Sequence, residues 1–138
     1  MSVPAQEIFK AYDIRGIVGK TLTVELVHQI GHALGSEARA RGQRTIIVGR
    51  DGRLSGADFA AALADGITAS GIDVIDIGCV ATPITYFAAY HLGADSCVSI
   101  TGSHNPPEYN GLKMVLGGET LHGGMIQDRV DHHLVAVQ

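Results

Sequence analysis

Residues 45–77 read TIIVGRDGRLSGADFAAALADGITASGIDVIDI, and the fold class follows from the alternation within them. Thr45–Gly49 is a β-branched run bounded by turn formers, which predicts a strand. From Ser55 onward Phe59, Ala60, Leu63 and Ile67 fall on one helical face, and Gly71 closes that helix. Ile72–Ile77 then returns to strand composition. A strand, a helix and a strand in this order call for parallel pairing through a right-handed crossover.

The same alternation continues on both sides. Upstream, Val24, Val27, Ile30, Leu34 and Ala38 recur at helical spacing between Thr23, a suitable N-cap, and Gly42, a suitable stop. Downstream, Thr82-Pro83 opens a third helix with threonine as the N-cap and proline in the first turn. Ser96–Ile100 and Leu112–Leu116 read as the third and fourth strands, separated by the polar loop Thr101–Asn110, and Gly117-Gly118 makes a turn. Ile126, Val130, Leu134 and Val137 predict a final helix, within or just after which the chain stops. The expected architecture is α/β, a three-layer α/β/α sandwich over a mixed, mainly parallel four-stranded sheet. A loop of about ten residues is shorter than most parallel crossovers need, so the fourth strand should run antiparallel at an edge.

The chain has 138 residues, enough for one domain spanning 1–138. With 46% apolar and 17% charged residues and a mean hydropathy of +0.19, it is a folded globular sequence. Ten Lys and Arg against 14 Asp and Glu give a net charge of −4, with no basic run of the kind nucleic acid requires. Met1–Lys10 has no apolar run fit for a signal peptide or membrane span, so no membrane partner is expected and the cytoplasm is the default location. Cys79 and Cys97 each sit in an apolar run and are expected to be buried thiols.

In an α/β sheet the loop leaving the third strand opens at the edge where such folds bind ligands. Here it reads Thr101-Gly102-Ser103-His104-Asn105-Pro106-Pro107. Gly102 frees the backbone beside a small nucleophile, the two prolines stiffen the far end of the loop, and Thr101, Ser103 and Asn105 offer short polar groups to phosphate or metal. Composition alone leaves a second reading open, a polar turn with a chance serine.

The stretch TGSHNPPEYNGLKM closely resembles the active-site motif of the α-D-phosphohexomutase family, and two further stretches match in order: Ala11-Tyr12-Asp13-Ile14-Arg15-Gly16 and Val48-Gly49-Arg50-Asp51-Gly52-Arg53. The wording most resembles the bacterial bifunctional phosphomannomutase/phosphoglucomutase branch. Many members of the family have alanine where Gly102 stands, a difference this reading treats as mechanistically neutral.

The resemblance implies a phosphoserine at Ser103 that passes its phosphoryl group to a hexose phosphate. The resulting sugar bisphosphate reorients and returns its other phosphate, interconverting 1- and 6-phosphates of mannose or glucose. It implies a cation and general acid or base at Lys113, Tyr12 and Arg15 at the cleft, and magnesium held through the phosphate on Ser103. It also implies a glucose 1,6-bisphosphate-type activator to phosphorylate Ser103.

Phosphoryl transfer depends on positioning and charge neutralisation, which accounts for cations gathered round one hydroxyl. His104 and Asn105 each keep two readings, bracing the loop or touching substrate or phosphate, and Thr101 joins the phosphate-binding set. Arg50, Asp51 and Arg53 read either as a local salt-bridged turn or as part of the site. Lys113 and Arg15 could alternatively be solvated surface charges. His122, His132 and His133 are expected at the surface.

Family members have four domains, and the three-aspartate magnesium loop of the second is absent from this sequence. The partners expected are therefore hexose phosphates and the remaining domains of the same polypeptide, with little mutase activity from the chain alone. A stand-alone binding or regulatory module is the alternative; a small phosphatase or kinase-like enzyme is disfavoured because no Walker-type loop is present.

Overall fold

The first helix shows how local sequence sets the element ends. In the computed structural model, which describes residues 8–9, 13–121 and 123–137 (backbone alone for 132–137), α1 (Val24–Ala40) begins where the Thr23 hydroxyl accepts the Leu26 amide at 3.2 Å. It ends before Gly42, whose φ of +78° turns the chain out of the helix. Leu26, Val27, Ile30, Ala33, Leu34 and Ala38 are buried, whereas Val24 at the helix start stays exposed. Around α1 the order is β1 (Ile14–Ile17), β2 (Thr45–Arg50), α2 (Gly56–Ala69), β3 (Asp73–Cys79), α3 (Thr82–His91), β4 (Cys97–Ile100), β5 (Tyr109–Leu116), β6 (Glu119–Thr120) and α4 (Gly123–Val137).

The starts of α2 and α3 carry no side-chain cap, the second against the expectation for Thr82. Ser55 precedes α2 without capping it; its hydroxyl instead accepts the Asn110 side-chain amide at 2.8 Å. Ala81 takes the cap position of α3, and Thr82 begins the helix, its hydroxyl accepting from Ser99 at 3.3 Å.

The sheet has the order β1-β5-β4-β2-β3, with β6 added to β5. β2 pairs in parallel with β3 and β4, while β5 is antiparallel to β4, β1 and β6. Every described strand except β5 therefore runs the same way, which makes the sheet mixed and mainly parallel, but with six strands rather than four. The antiparallel direction expected for the strand after the serine loop is present. Its edge position is not: β1 pairs along Tyr109–Leu112 and makes β5 an interior strand. The sequence reading missed β1 because four residues, one of them glycine, carry almost no period-2 signal.

Successive strand residues face opposite sides, and helices cover both. Ile46, Val48, Val98, Ile100, Leu112 and Met114 form the main core with α1, α2 and α4. Ile47 and Cys97 face the other way and make a smaller cluster with Ala89 of α3. Burial pushes the Cys97 thiol up to about 12. Cys79 corrects the expectation of two buried thiols: it ends the edge strand β3 and is exposed. α3 is thinly packed, with Ile84, Phe87 and Tyr90 exposed, as is Leu92 just after it.

Glu37 ties α1 to α4. Its carboxylate accepts from Arg41 at 3.0 Å and from Arg129 at 2.9 Å. Burial acts to raise its pKa, but the bond from Arg41 and the charge of Arg129 outweigh that and hold it below the ordinary value. Among the described residues no helix is long and apolar enough to cross a membrane.

Candidate active site

Parallel neighbours β2 and β4 end side by side, so the loops that leave them meet. The β2 ladder runs on for one residue, with the Asp51 amide donating to the Ile100 carbonyl at 2.9 Å. That step places the Asp51 carboxylate at the root of the serine loop. One oxygen accepts the Thr101 hydroxyl at 2.9 Å and the Gly102 amide at 3.0 Å; the other accepts the Arg53 amide at 3.1 Å. Thr101 is buried, and its hydroxyl oxygen in turn accepts the Ser103 amide at 3.0 Å.

Ser103 is exposed at the loop tip with φ +53°, left-handed backbone that a non-glycine residue adopts only when its surroundings hold it there. The side chains on either side of it separate clearly. Asn105 turns inward, its backbone and side-chain amides both donating to the Gly102 carbonyl, at 3.0 and 2.8 Å. His104 is exposed and makes no side-chain hydrogen bond among the described residues.

Arg53 reaches the loop from the β2 side. Its guanidinium donates to the carbonyls of Asn105 and Pro106 at 2.7 Å each, of Tyr109 at 3.0 Å and of Ser103 at 3.3 Å. Its Nε lies 3.5 Å from Asp51 Oδ2. The local salt-bridged turn read from the sequence is therefore present, and it also fastens a second loop about fifty residues further on. The only signal in the sequence is a charged Arg-Asp-Gly-Arg run at the carboxyl end of a parallel strand, where ligand loops gather. Arg50 takes no part in the clasp; it lies 3.8 Å from Asp76.

Arg15 and Lys113 approach from the antiparallel side. Arg15 pairs with Gly111, whose carbonyl receives the Thr101 amide at 2.9 Å, so β1 lies two strands from the base of the loop. Lys113 is two residues beyond Gly111 and pairs with Ser99. Period-2 alternation puts Arg15 and Lys113 on the same sheet face, opposite that of Ile14 and Leu112. Lys113 is half-buried, and Arg15 pairs with Asp13 at 2.8 Å. Tyr12, expected at the cleft, lies outside the described residues, as does His122; nothing is described of the side chains of His132 and His133.

A groove of about 780 Å³ opens beside the loop, lined by Val18, Asp51, Arg53, Leu54, Asn105 and Glu108 among others. Ser103 is not among its walls and stands free at the tip. Among the described residues no three His, Cys, Asp or Glu side chains are grouped to hold a metal ion. The donors present do not by themselves fit a magnesium site, which takes several oxygens in near-octahedral array.

Comparison with known proteins shows the family and the fold. Residues 6–136 match the family described as phosphoglucomutase/phosphomannomutase, alpha/beta/alpha domain I. The chain is 56% identical over 128 residues to a phosphoglucomutase of Neisseria meningitidis serogroup B, covering 93% of this chain and 28% of that protein. It is 53% identical over 126 residues to a phosphomannomutase/phosphoglucomutase of Pseudomonas aeruginosa, covering 91% of this chain and 27% of that one. A solved phosphoglucomutase/phosphomannomutase family protein from Burkholderia thailandensis superposes with a TM-score of 0.86 at 51% identity, over 96% of this chain and 31% of that structure. The chain thus spans little more than a quarter of the length of these curated relatives. It belongs to the phosphoglucomutase/phosphomannomutase family, in which it corresponds to the alpha/beta/alpha domain I.

Proposed function

We propose that this chain is the phosphoserine-bearing domain of a hexose-phosphate mutase, with Ser103 carrying the phosphoryl group between the 1- and 6-positions of mannose or glucose phosphates. The observation that carries the reading is the presentation of Ser103: exposed, left-handed and held on a braced loop at the carboxyl end of a parallel strand. In the first half-reaction the sugar hydroxyl attacks the phosphorus and loses its proton to a base, while the bond from phosphorus to Ser103 Oγ breaks and that oxygen takes up a proton, leaving the free serine hydroxyl. The second half-reaction reverses this at the other sugar oxygen, so no donor is consumed.

Arg15 and Lys113 supply positive charge on one sheet face beside the loop, where it stabilises the equatorial oxygens of the transferring group. Lys113 also handles the hydroxyl proton. His104, exposed and without an internal partner, contacts phosphate or substrate. Thr101 and Asn105, whose polar groups are engaged within the loop, serve as its framework. Tyr12 completes the cleft by resemblance.

Magnesium, which the family is expected to require, would neutralise phosphate charge when bound. The oxygen this chain offers it is that of the Ser103 phosphate, with further ligands coming from the remaining domains. A glucose 1,6-bisphosphate-type activator charges Ser103, and the protein works in the cytoplasm. Ser103→Ala should abolish phosphoryl incorporation from glucose 1,6-bisphosphate, read by intact mass, in the polypeptide that includes the remaining domains. A phosphoryl group retained by Ser103→Ala overturns the reading; family-like turnover by the 138-residue chain alone in a coupled assay would overturn instead the expectation that the remaining domains are needed for activity.

A further inference from the structure

We propose that Arg53 is the positioning residue of the serine loop and that Gly102 is glycine in order to make room for its guanidinium, so that the two set the backbone of Ser103 as one unit. The functional weight of this rests on Ser103 being the phosphoryl carrier; the conformational claim does not.

Ser103–Glu108 lies outside any strand pairing, and Pro106 and Pro107 have no amide hydrogen. Two backbone bonds close short turns here, from Asn105 to Gly102 and from Tyr109 to Pro106, and the Asn105 side chain adds a third to Gly102. They leave the carbonyls of Ser103 and Asn105 without a partner within the loop. Arg53 takes both, together with those of Pro106 and Tyr109. Its two terminal nitrogens are thus spent on four carbonyls of one loop, while Nε faces the Asp51 carboxylate that holds the loop's other end. Only a planar fork of five donors can span such a set; a lysine ammonium has three donors on a single nitrogen and would reach one side. The Arg53 side chain is 17% exposed; its bonds to Asn105 and Tyr109 are partly buried, while those to Ser103 and Pro106 lie at the surface and act by fixing direction.

Gly102 is explained by space rather than by backbone angle. Its φ is not left-handed, yet a Cβ there would overlap the guanidinium carbon and Nε of Arg53. Alanine at 102 would therefore displace the guanidinium from this position, so on this proposal the difference at 102 is felt by the loop. Ser103, next along the chain, is tied at its amide to Thr101 and at its carbonyl to Arg53. Losing the second tie lets φ leave the left-handed region, where a non-glycine residue is disfavoured.

The test uses the full chain, 14.5 kDa and suited to NMR, with Arg53→Lys, Arg53→Ala, Gly102→Ala and the double variant Arg53→Ala/Gly102→Ala. The Cα and Cβ chemical shifts of Ser103 report its backbone conformation, and amide exchange reports loop opening. All four variants should move the Ser103 shifts away from left-handed values. Amide exchange from Ser103 to Tyr109 should accelerate about tenfold or more, with α1 and β2 unchanged. The double variant should go no further than either alanine variant alone, because both remove the same contact. The proposal is overturned if Arg53→Ala keeps left-handed shifts at Ser103, if lysine preserves loop protection, or if the two alanine effects multiply. These readings are taken without phosphate on the chain, so failure of the phosphoserine assignment would leave them untouched.

Discussion

Where α1 meets α2 the backbones nearly touch. A Cβ on Gly31 would sit 2.5 Å from the Leu63 carbonyl oxygen, and one on Gly66 would overlap the His28 carbonyl. Ile30, Leu34, Phe59, Leu63 and Ile67 fill the space around this contact, all buried. The serine loop, at the carboxyl end of the same sheet, contains no large buried side chain and is held by Asp51, Arg53, Thr101 and Asn105. Apolar burial is non-directional and scales with area, so the helix pair supplies stability. Hydrogen bonds to exposed carbonyls contribute little net free energy but constrain direction, so the loop bonds supply conformation. Substitutions in the two regions should separate accordingly, unfolding the chain in one and re-aiming Ser103 in the other.

The largest effect belongs to the helix pair. Phe59→Ala removes a fully buried ring and should cost about 3–5 kcal/mol, a large share of a typical domain's stability, seen as a lower urea midpoint at unchanged slope. A loss below about 1 kcal/mol would break the contrast.

Ser103→Gly should act in the opposite direction and more weakly. Glycine removes a left-handed cost of about 1–2 kcal/mol but adds about 0.5–1 kcal/mol of unfolded-chain freedom, leaving a net gain of roughly 1 kcal/mol or less in thermal unfolding. Destabilisation would mean that the serine side chain, rather than the bonds around its backbone, holds the loop.

The smallest effect is at Glu37, a polar tie on the packed side. Its folded pKa lies below the ordinary 4.5, so its contribution is present above that value and is lost as pH falls through the folded one. Melting temperature should therefore drop slightly more for wild type than for Glu37→Gln on acidification from neutral pH to below the carboxylate range. Equal drops would place α4 under the control of apolar contacts such as Ile126 and Val130.

Sequence legibility divides along the same line. α1 could be read because its cap, its apolar period and its terminating glycine all lie within twenty residues of one another. The serine loop could be read because its residue types are contiguous. β1 could not, since the strand exists through pairing with Tyr109–Leu112 near the other end of the chain, and that pairing also moves β5 from the edge to the interior. Cys79 has the composition of a buried strand residue, but β3 has a neighbour on one side only. His104 and Asn105, adjacent and equally ambiguous as letters, differ once the Gly102 carbonyl is in place to receive one of them.

From its residues alone this chain settles an α/β alternation, the helix caps at Thr23 and Gly42, and a nucleophile-bearing loop after a strand, because periodicity, capping and turn chemistry act over a few neighbouring positions. The strand order, the interior place of β5 and the grip of Arg53 on a loop fifty residues away belong to the folded chain. They depend on which strands become neighbours, and no local pattern encodes that.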